Sequence, residues 1–96
     1  MNRWVLTATL AQRAAVRYTP AGLPALDLSL QHESEVSEDG TTRKVSMEIK
    51  AVAIGAITQP LLAQVLGAAS VYVGFVAPSR NKRGLVFHIT SVEPLA

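Results

Sequence analysis

Residues 71–89 of the chain read VYVGFVAPSRNKRGLVFHI. Two apolar, strand-forming runs, 71–76 and 85–89, flank the segment 78–84, which begins with proline and ends with glycine. Proline and glycine mark turns, so the pattern predicts a β-hairpin with a solvated basic tip. The cations of this tip are Arg80, Lys82 and Arg83. Such a cluster suits a phosphate backbone, but charged tips also keep strands soluble, and the pattern alone leaves both interpretations open.

Alternating apolar residues predict three further strands before this hairpin. The first spans residues 4–10, and we interpret a second alternation over 14–18 as its continuation in one long bent strand. A turn is expected at 19–24, TPAGLP, because proline fixes φ at both ends. Residues 26–33 and 44–53 alternate without a break, which predicts two strands with one buried face each.

Two connections separate these strands from each other and from the hairpin. Residues 34–42 are polar and acidic and end at Asp-Gly, which indicates a mobile loop. Between residues 54 and 67 the apolar period becomes helical, with Thr58 suited to the N-cap and Gly67 to the end. The pattern predicts one short helix of about two to three turns.

The predicted order is three strands, a short helix and two strands. This order fits the all-β, five-stranded Greek-key barrel called the OB-fold, with the helix plugging one end. An SH3-like barrel is the main alternative, and a helix between the third and fourth strands favours the OB-fold. We expect one domain over residues 1–96.

Composition excludes several classes of protein. Apolar residues make up 49% of the chain and charged residues 17%, which excludes a disordered tail, and no apolar run is long enough to span a membrane. The first residues enter an alternating pattern directly, so we expect a cytoplasmic protein. The net charge of +2 is only mildly basic, and its segregation along the chain is more informative than its size.

The chain offers no catalytic or metal-binding constellation. It lacks cysteine, and His32 and His88 lie on different predicted strands with no Ser or Asp partner at a suggestive spacing. A short acidic cluster lacks the ordered ligand positions of an EF-hand. Its members are Glu33, Glu35, Glu38 and Asp39. We therefore expect no enzyme, no metal and no cofactor.

Aromatic residues on which nucleobases could stack are few. Trp4, Phe75 and Phe87 alternate with apolar neighbours and are assigned to the core. Tyr18 and Tyr72 are the candidates for base stacking.

Five segments, taken together, resemble one known family. They are NRWVL at 2–6, PAGLP at 20–24, LQHES at 30–34, VGFV at 73–76 and NKRGL at 81–85. Their order and spacing resemble the primosomal replication protein N (PriB) family over essentially the whole chain. The resemblance implies a dimeric OB-fold that binds single-stranded DNA and the primosomal helicase PriA during replication restart.

The resemblance also implies a DNA-binding set. Arg17, Arg80 and Lys82 fall at basic positions of the family, and Arg43 lies beside the loop before the third strand. With their basic neighbours, the predicted set is Arg17, Arg43, Lys44, Arg80, Lys82 and Arg83.

Three positions depart from the family pattern. Thr41 and Ser46 stand where better studied members carry aromatic residues, and Glu33 replaces a basic residue. We therefore expect weaker DNA binding that depends mainly on phosphate contacts. With about four phosphates neutralised, the log–log salt slope should be about −3.

Two functions fit these observations. The first is a single-stranded DNA-binding accessory factor, and the second is a protein-interaction adaptor of the primosome with incidental DNA affinity. The apolar first strand, with Trp4, Val5 and Leu6, is consistent with the homodimer that the resemblance implies.

Overall fold

The computed structural model describes residues 1–95, which form six strands and one helix. The helix, α1, is Thr58–Leu62. The strands are β1 Trp4–Arg13, β2 Arg17–Tyr18, β3 Pro24–Glu38, β4 Thr41–Ile54, β5 Ala69–Pro78 and β6 Leu85–Pro94.

Five of the strands close into a barrel in the order β1-β5-β6-β4-β3, and β3 pairs back onto β1. The parallel contact between β4 and β6 consists of two residue pairs, Ala51 with Phe87 and Val52 with His88. The barrel pairings on either side of it are antiparallel. This closure, with α1 between β4 and β5, confirms the predicted OB-fold.

The core lies inside this barrel and is built from alternate residues of its strands. Leu10 of β1, Leu26 and Leu30 of β3 and Tyr72 of β5 are fully buried. Leu61 of α1 is also fully buried among them, so the helix plugs one end of the barrel.

The prediction for the start of the chain was partly wrong. Instead of one bent strand, β1 ends at Arg13 after an irregularity between Leu10 and Gln12, and β2 begins at Arg17. The predicted turn before β3 is confirmed. Gly22 has a φ of 84°, and its N–H donates to the carbonyl of Thr19 at 2.8 Å.

The helix is shorter than predicted and begins differently. Its five residues make about one and a half turns, and the N-cap is Ile57. Thr58 is buried, and its hydroxyl donates to the carbonyl of Gly55 at 2.8 Å, so it does not cap the helix. The Arg13 guanidinium donates to the carbonyl of Leu61 at 3.0 Å, which satisfies a carbonyl at the helix end.

The predicted mobile loop at 34–42 is wrong, because β3 and β4 continue through it as a paired hairpin. Their register runs without a break to Glu38 opposite Thr41. Asp39 and Gly40 form the turn with φ of 51° and 77°, the signs that a tight type I′ hairpin turn requires. We call residues 33–46 the arm, since these parts of β3 and β4 pair only with each other.

Strands β5 and β6 approach closely at Gly74. A Cβ added there would lie 1.7 Å from the carbonyl oxygen of His88, so no other residue fits without moving the backbone. The register shifts between Val73 and Gly74 at the same place. This irregularity lies at the base of the β5–β6 hairpin, which carries Arg80, Lys82 and Arg83 at its tip and is called the basic hairpin below.

The helix found in residues 1–95 is too short to cross a lipid bilayer.

Candidate nucleic-acid interface

The tip of the β5–β6 hairpin is held in shape by its own hydrogen bonds. The N–H of Ser79 donates to the carbonyl of Gly84 at 2.8 Å, and the N–H of Lys82 donates to the carbonyl of Ser79 at 2.8 Å. The Oδ1 of Asn81 accepts from the hydroxyl of Ser79 at 2.7 Å and from the N–H of Arg83 at 3.0 Å. Lys82 takes a positive φ of 57° at this turn. Hydrogen bonds within the tip therefore define its turn.

The predicted cations of this tip all lie in solvent. Arg80, Lys82 and Arg83 are exposed. Within residues 1–95, the two side-chain ion pairs of the structure involve other residues. The charges of Arg80, Lys82 and Arg83 are therefore available to bind phosphates.

A groove lies between this tip and strand β4. It has a volume of about 420 Å³ and is lined by Lys50 of β4 and, from the hairpin, by Arg80, Arg83 and Leu85. We call it the basic groove. Lys50 was not in the predicted DNA-binding set. Its outward position on an alternating strand was visible in the sequence, but its closeness to the hairpin depends on the barrel closure.

Arg17 is engaged by a carboxylate on the neighbouring strand. Its Nε donates to Oδ2 of Asp27 at 2.7 Å, and its Nη2 donates to Oδ1 at 3.1 Å. The hydrogen bond from Arg17 lowers the pKa of Asp27, and the positive charge of Arg80 contributes to the same shift. The pKa of Arg17 is raised by the same hydrogen bond. Arg17 and Arg80 therefore both act on Asp27, and DNA phosphates would compete with this carboxylate for Arg17.

The two predicted cations of the arm lie on opposite faces of it. Arg43 pairs with Glu38 through a 2.5 Å contact from Nε to Oε1, and both side chains are largely exposed. Lys44 stands opposite Glu35 in the strand register. Because strand side chains alternate, Lys44 shares the outward face of β4 with Lys50, roughly 20 Å along the strand. The predicted set is thus divided between the barrel and the arm.

The outward face of β3 and β4 is polar and carries both signs of charge. The hydroxyl of Ser29 donates to Oε1 of Glu48 at 2.7 Å, and Nε2 of Gln31 donates to the hydroxyl of Ser46 at 3.2 Å. Glu48 is exposed between Lys44 and Lys50 along β4. Acids therefore offset part of the positive charge on this face.

The aromatic residues differ from the sequence predictions at three positions. Tyr72 is fully buried, so its prediction as a stacking platform is wrong, and burial raises the pKa of its hydroxyl. Trp4 and Phe75 were assigned to the core but are 48% and 39% exposed. Tyr18 is 70% exposed and remains a candidate, and Phe87 is in the core as predicted.

Both histidines contact residues of a neighbouring strand. His88 stacks on Phe75 with ring centroids 4.6 Å apart and an interplanar angle of 7°. His32 contacts the carbonyl of Thr7 through Nδ1 at 2.6 Å and the hydroxyl of Ser34 through Nε2 at 2.8 Å. Over residues 1–95, no three His, Asp or Glu side chains cluster as metal ligands.

A family model and known structures match this arrangement. The model described as "another single-strand binding protein family" matches residues 2–91. The replication restart protein PriB of Bordetella pertussis is 48% identical over 81 residues, which cover 84% of this chain and 76% of that protein.

Solved structures give the same result. The PriB structure from Ralstonia solanacearum is 36% identical and superposes with a TM-score of 0.91 over 100% of this chain and 99% of that one. The single-stranded DNA binding protein of Thermus aquaticus is 25% identical, with a TM-score of 0.77 over 100% of this chain and 50% of that one. The OB-fold reading of the barrel is therefore independently supported.

Proposed function

Because the chain belongs to the single-strand binding protein family matched above and to the PriB replication restart proteins, we propose that it binds single-stranded DNA and acts in replication restart. Neither group is an enzyme family. The observation that carries the proposal is the hydrogen-bonded basic tip, with Arg80, Lys82 and Arg83 exposed beside the basic groove. Its proposed place of action is the cytoplasm.

The proposed contacts are mainly to phosphates. Arg80, Lys82 and Arg83 are free of carboxylate partners within residues 1–95, and Lys50 adds a cation on the opposite wall of the groove. Arg17 joins them by exchanging Asp27 for a phosphate. Arg43 and Lys44 extend the site onto the arm with smaller contributions, because acids stand beside them. Tyr18 supplies a base-stacking surface.

We further propose that the protein acts as a homodimer. Residues 4–8 of β1 pair with β5 along one edge, whereas the pairing of β1 with β3 begins only at Thr9. Val5 is 54% exposed on this segment. The other edge of this segment has no paired strand among residues 1–95 and carries apolar side chains, although the ring of His32 contacts the carbonyl of Thr7, and such an edge favours pairing with a second copy. Sedimentation at high protein concentration should show a dimer, and a monomer would contradict this part of the proposal.

The proposed protein partner is the PriA helicase, on the basis of family membership. The second candidate function, an adaptor with incidental DNA affinity, is favoured by one observation: Asp27 and Glu38 already pair with two of the predicted DNA-binding arginines. A pull-down with PriA, with and without DNA, distinguishes the DNA-binding factor from the adaptor. The adaptor predicts equal capture in both conditions.

Fluorescence anisotropy of a labelled oligo(dT) tests the DNA-binding proposal. The log–log salt slope of the wild type should be about −3, since each of the four cations at the basic groove and tip contributes roughly −0.7 and the cations beside acids contribute little. The variant with Arg80, Lys82 and Arg83 all changed to alanine should lose about 2 units of this slope and bind more than about tenfold more weakly. If the wild type and the triple variant bound oligo(dT) with equal affinity, the hairpin would not be part of the DNA site.

A further inference from the structure

An apolar hollow opens into the barrel beside the basic groove. Strands β4 and β6 pair only at Ala51–Phe87 and Val52–His88, so they separate towards the start of β6. The gap leads to a hollow of about 300 Å³. Its lining is mainly apolar and includes Trp4, Leu6, Ile49, Val76, Leu85 and Phe87, while Glu48 and Lys50 contribute one charge of each sign. The incomplete β4–β6 ladder therefore leaves the end of the barrel opposite α1 open.

Trp4 has an unusual position in this hollow. It belongs to the inward-facing series of β1 with Leu6, Ala8 and Leu10, yet it is 48% exposed, whereas Ala8 and Leu10 are buried. The side chain of Asn2 fixes the chain just before it by donating to the carbonyl of Val76 at 2.6 Å and accepting from its N–H at 3.1 Å. The hollow thus holds a half-exposed indole on an anchored strand.

The hollow adjoins the basic groove, because Lys50 and Leu85 line both. Arg80 and Arg83 stand on the groove side of this shared wall. Cations that can hold phosphates therefore lie next to an apolar space with an aromatic side chain. Single-strand binding sites combine these two features, since phosphates need positive charge and unstacked bases need an aromatic or apolar surface.

We propose that the hollow is a nucleobase site and that Trp4 is its stacking residue, while Lys50 and the hairpin hold the flanking phosphates. This inference rests on the proposed DNA binding and adds the position at which a base is removed from solvent. A second copy of the chain is the competing occupant, because Val5 beside Trp4 lies on the proposed dimer strand.

The single tryptophan of the chain makes the site directly observable. The full-length protein is titrated with oligo(dT) and, separately, with an abasic deoxyribose-phosphate strand of equal length, while anisotropy and tryptophan emission are recorded. Trp4 emission should be quenched by oligo(dT) at the concentrations at which anisotropy rises, and the abasic strand should leave it unchanged. Anisotropy without quenching by oligo(dT) would overturn the nucleobase site and leave DNA binding intact. No anisotropy change with either strand would overturn the proposed function itself.

Two variants separate stacking from packing. Trp4→Phe keeps a smaller aromatic ring and should bind oligo(dT) more weakly than the wild type but more tightly than Trp4→Leu. Trp4→Leu keeps only apolar bulk and should bind about 5- to 150-fold more weakly than the wild type. Both should bind the abasic strand as the wild type does, with an unchanged salt slope. If Trp4→Leu loses equal affinity for both strands, or if it converts a dimer to a monomer in sedimentation, the site is structural or belongs to the second copy and the proposal is wrong. If Trp4→Leu fails to fold, the wild-type protein still decides the question, because Trp4 emission should be quenched by oligo(dT) and not by the abasic strand.

Discussion

The two long hairpins of the molecule both carry cations at the end of a two-stranded ribbon, but they present them differently. The tip of β5–β6 contains no acid between residues 78 and 85, and its cations are exposed. The arm carries four acids, and its Arg43 is paired with Glu38. This difference is the reason why we place the proposed phosphate contacts mainly at the tip, where no acid pairs with the cations, and not at the arm.

The hairpins also differ in how they join the barrel. The β5–β6 hairpin has its base inside the barrel, where β5 pairs with β1 and the strands close up at Gly74. Residues 33–46 of the arm pair only with each other. The first hairpin therefore presents its cations from a fixed base, and the arm projects from the fold.

The largest effect is expected where the basic hairpin joins the barrel. Gly74→Ala places a Cβ 1.7 Å from the carbonyl oxygen of His88. Because this oxygen belongs to the backbone, it cannot avoid the clash by a change of side-chain rotamer. We expect the free energy of unfolding to fall by about 3 kcal/mol, measured by urea denaturation at fixed protein concentration.

Two other glycines serve as controls for this substitution. Gly84→Ala in the tip meets nothing within 4 Å and should be nearly neutral. Gly40→Ala in the arm also meets nothing, but its φ of 77° costs about 1 kcal/mol for alanine. If Gly74→Ala were no more destabilising than Gly40→Ala, the base of the basic hairpin would be no more constrained than the arm.

A matched pair of lysines gives the next largest effect. Lys50 and Lys44 lie on the same outward face of β4, one at the basic groove and one on the arm opposite Glu35. Lys50→Ala should weaken oligo(dT) binding by about three- to tenfold and reduce the salt slope by about 0.7. Lys44→Ala should stay within about twofold of the wild type. If anisotropy showed that Lys44→Ala binds oligo(dT) more weakly than Lys50→Ala, the main DNA site would lie on the arm.

The barrel could be predicted from the sequence because most of its strands alternate cleanly. Residues 26–33 show one apolar and one polar face, and the structure buries the apolar one at Leu26, Leu28 and Leu30. The arm was missed because residues 34–42 are polar on both faces except at Val36, so alternation gives no signal. Its one signal was Asp39-Gly40, the pair that a two-residue hairpin turn favours.

The aromatic residues were harder to assign for a related reason. Residues 71–76, VYVGFV, are apolar at odd and even positions alike, so periodicity cannot tell which face is inside. Barrel closure turns Tyr72 inward and Phe75 outward. Trp4 has inward parity, but it stands where the β4–β6 ladder leaves the barrel open. Such positions depend on contacts between distant strands, which a local pattern does not contain.

The smallest effect concerns the acid nearest to the basic hairpin. Asp27→Asn removes the negative charge that holds Arg17 and lies in the field of Arg80. Oligo(dT) affinity should rise by about two- to threefold at low salt. Because Arg17 lowers the pKa of Asp27 below its ordinary value of 3.8, the gain should be constant between about pH 6 and pH 8. A loss of affinity in anisotropy would mean that Asp27 orients Arg17 for DNA instead of competing with it.

The contrast between the two hairpins is tested most directly by NMR mapping of the labelled protein with increasing oligo(dT). Backbone amides of residues 79–85 and of Lys50 should shift progressively and saturate together, while those of residues 35–42 should change little. The largest shifts at the arm, with the tip unperturbed, would contradict the assignment of the DNA site to the β5–β6 hairpin.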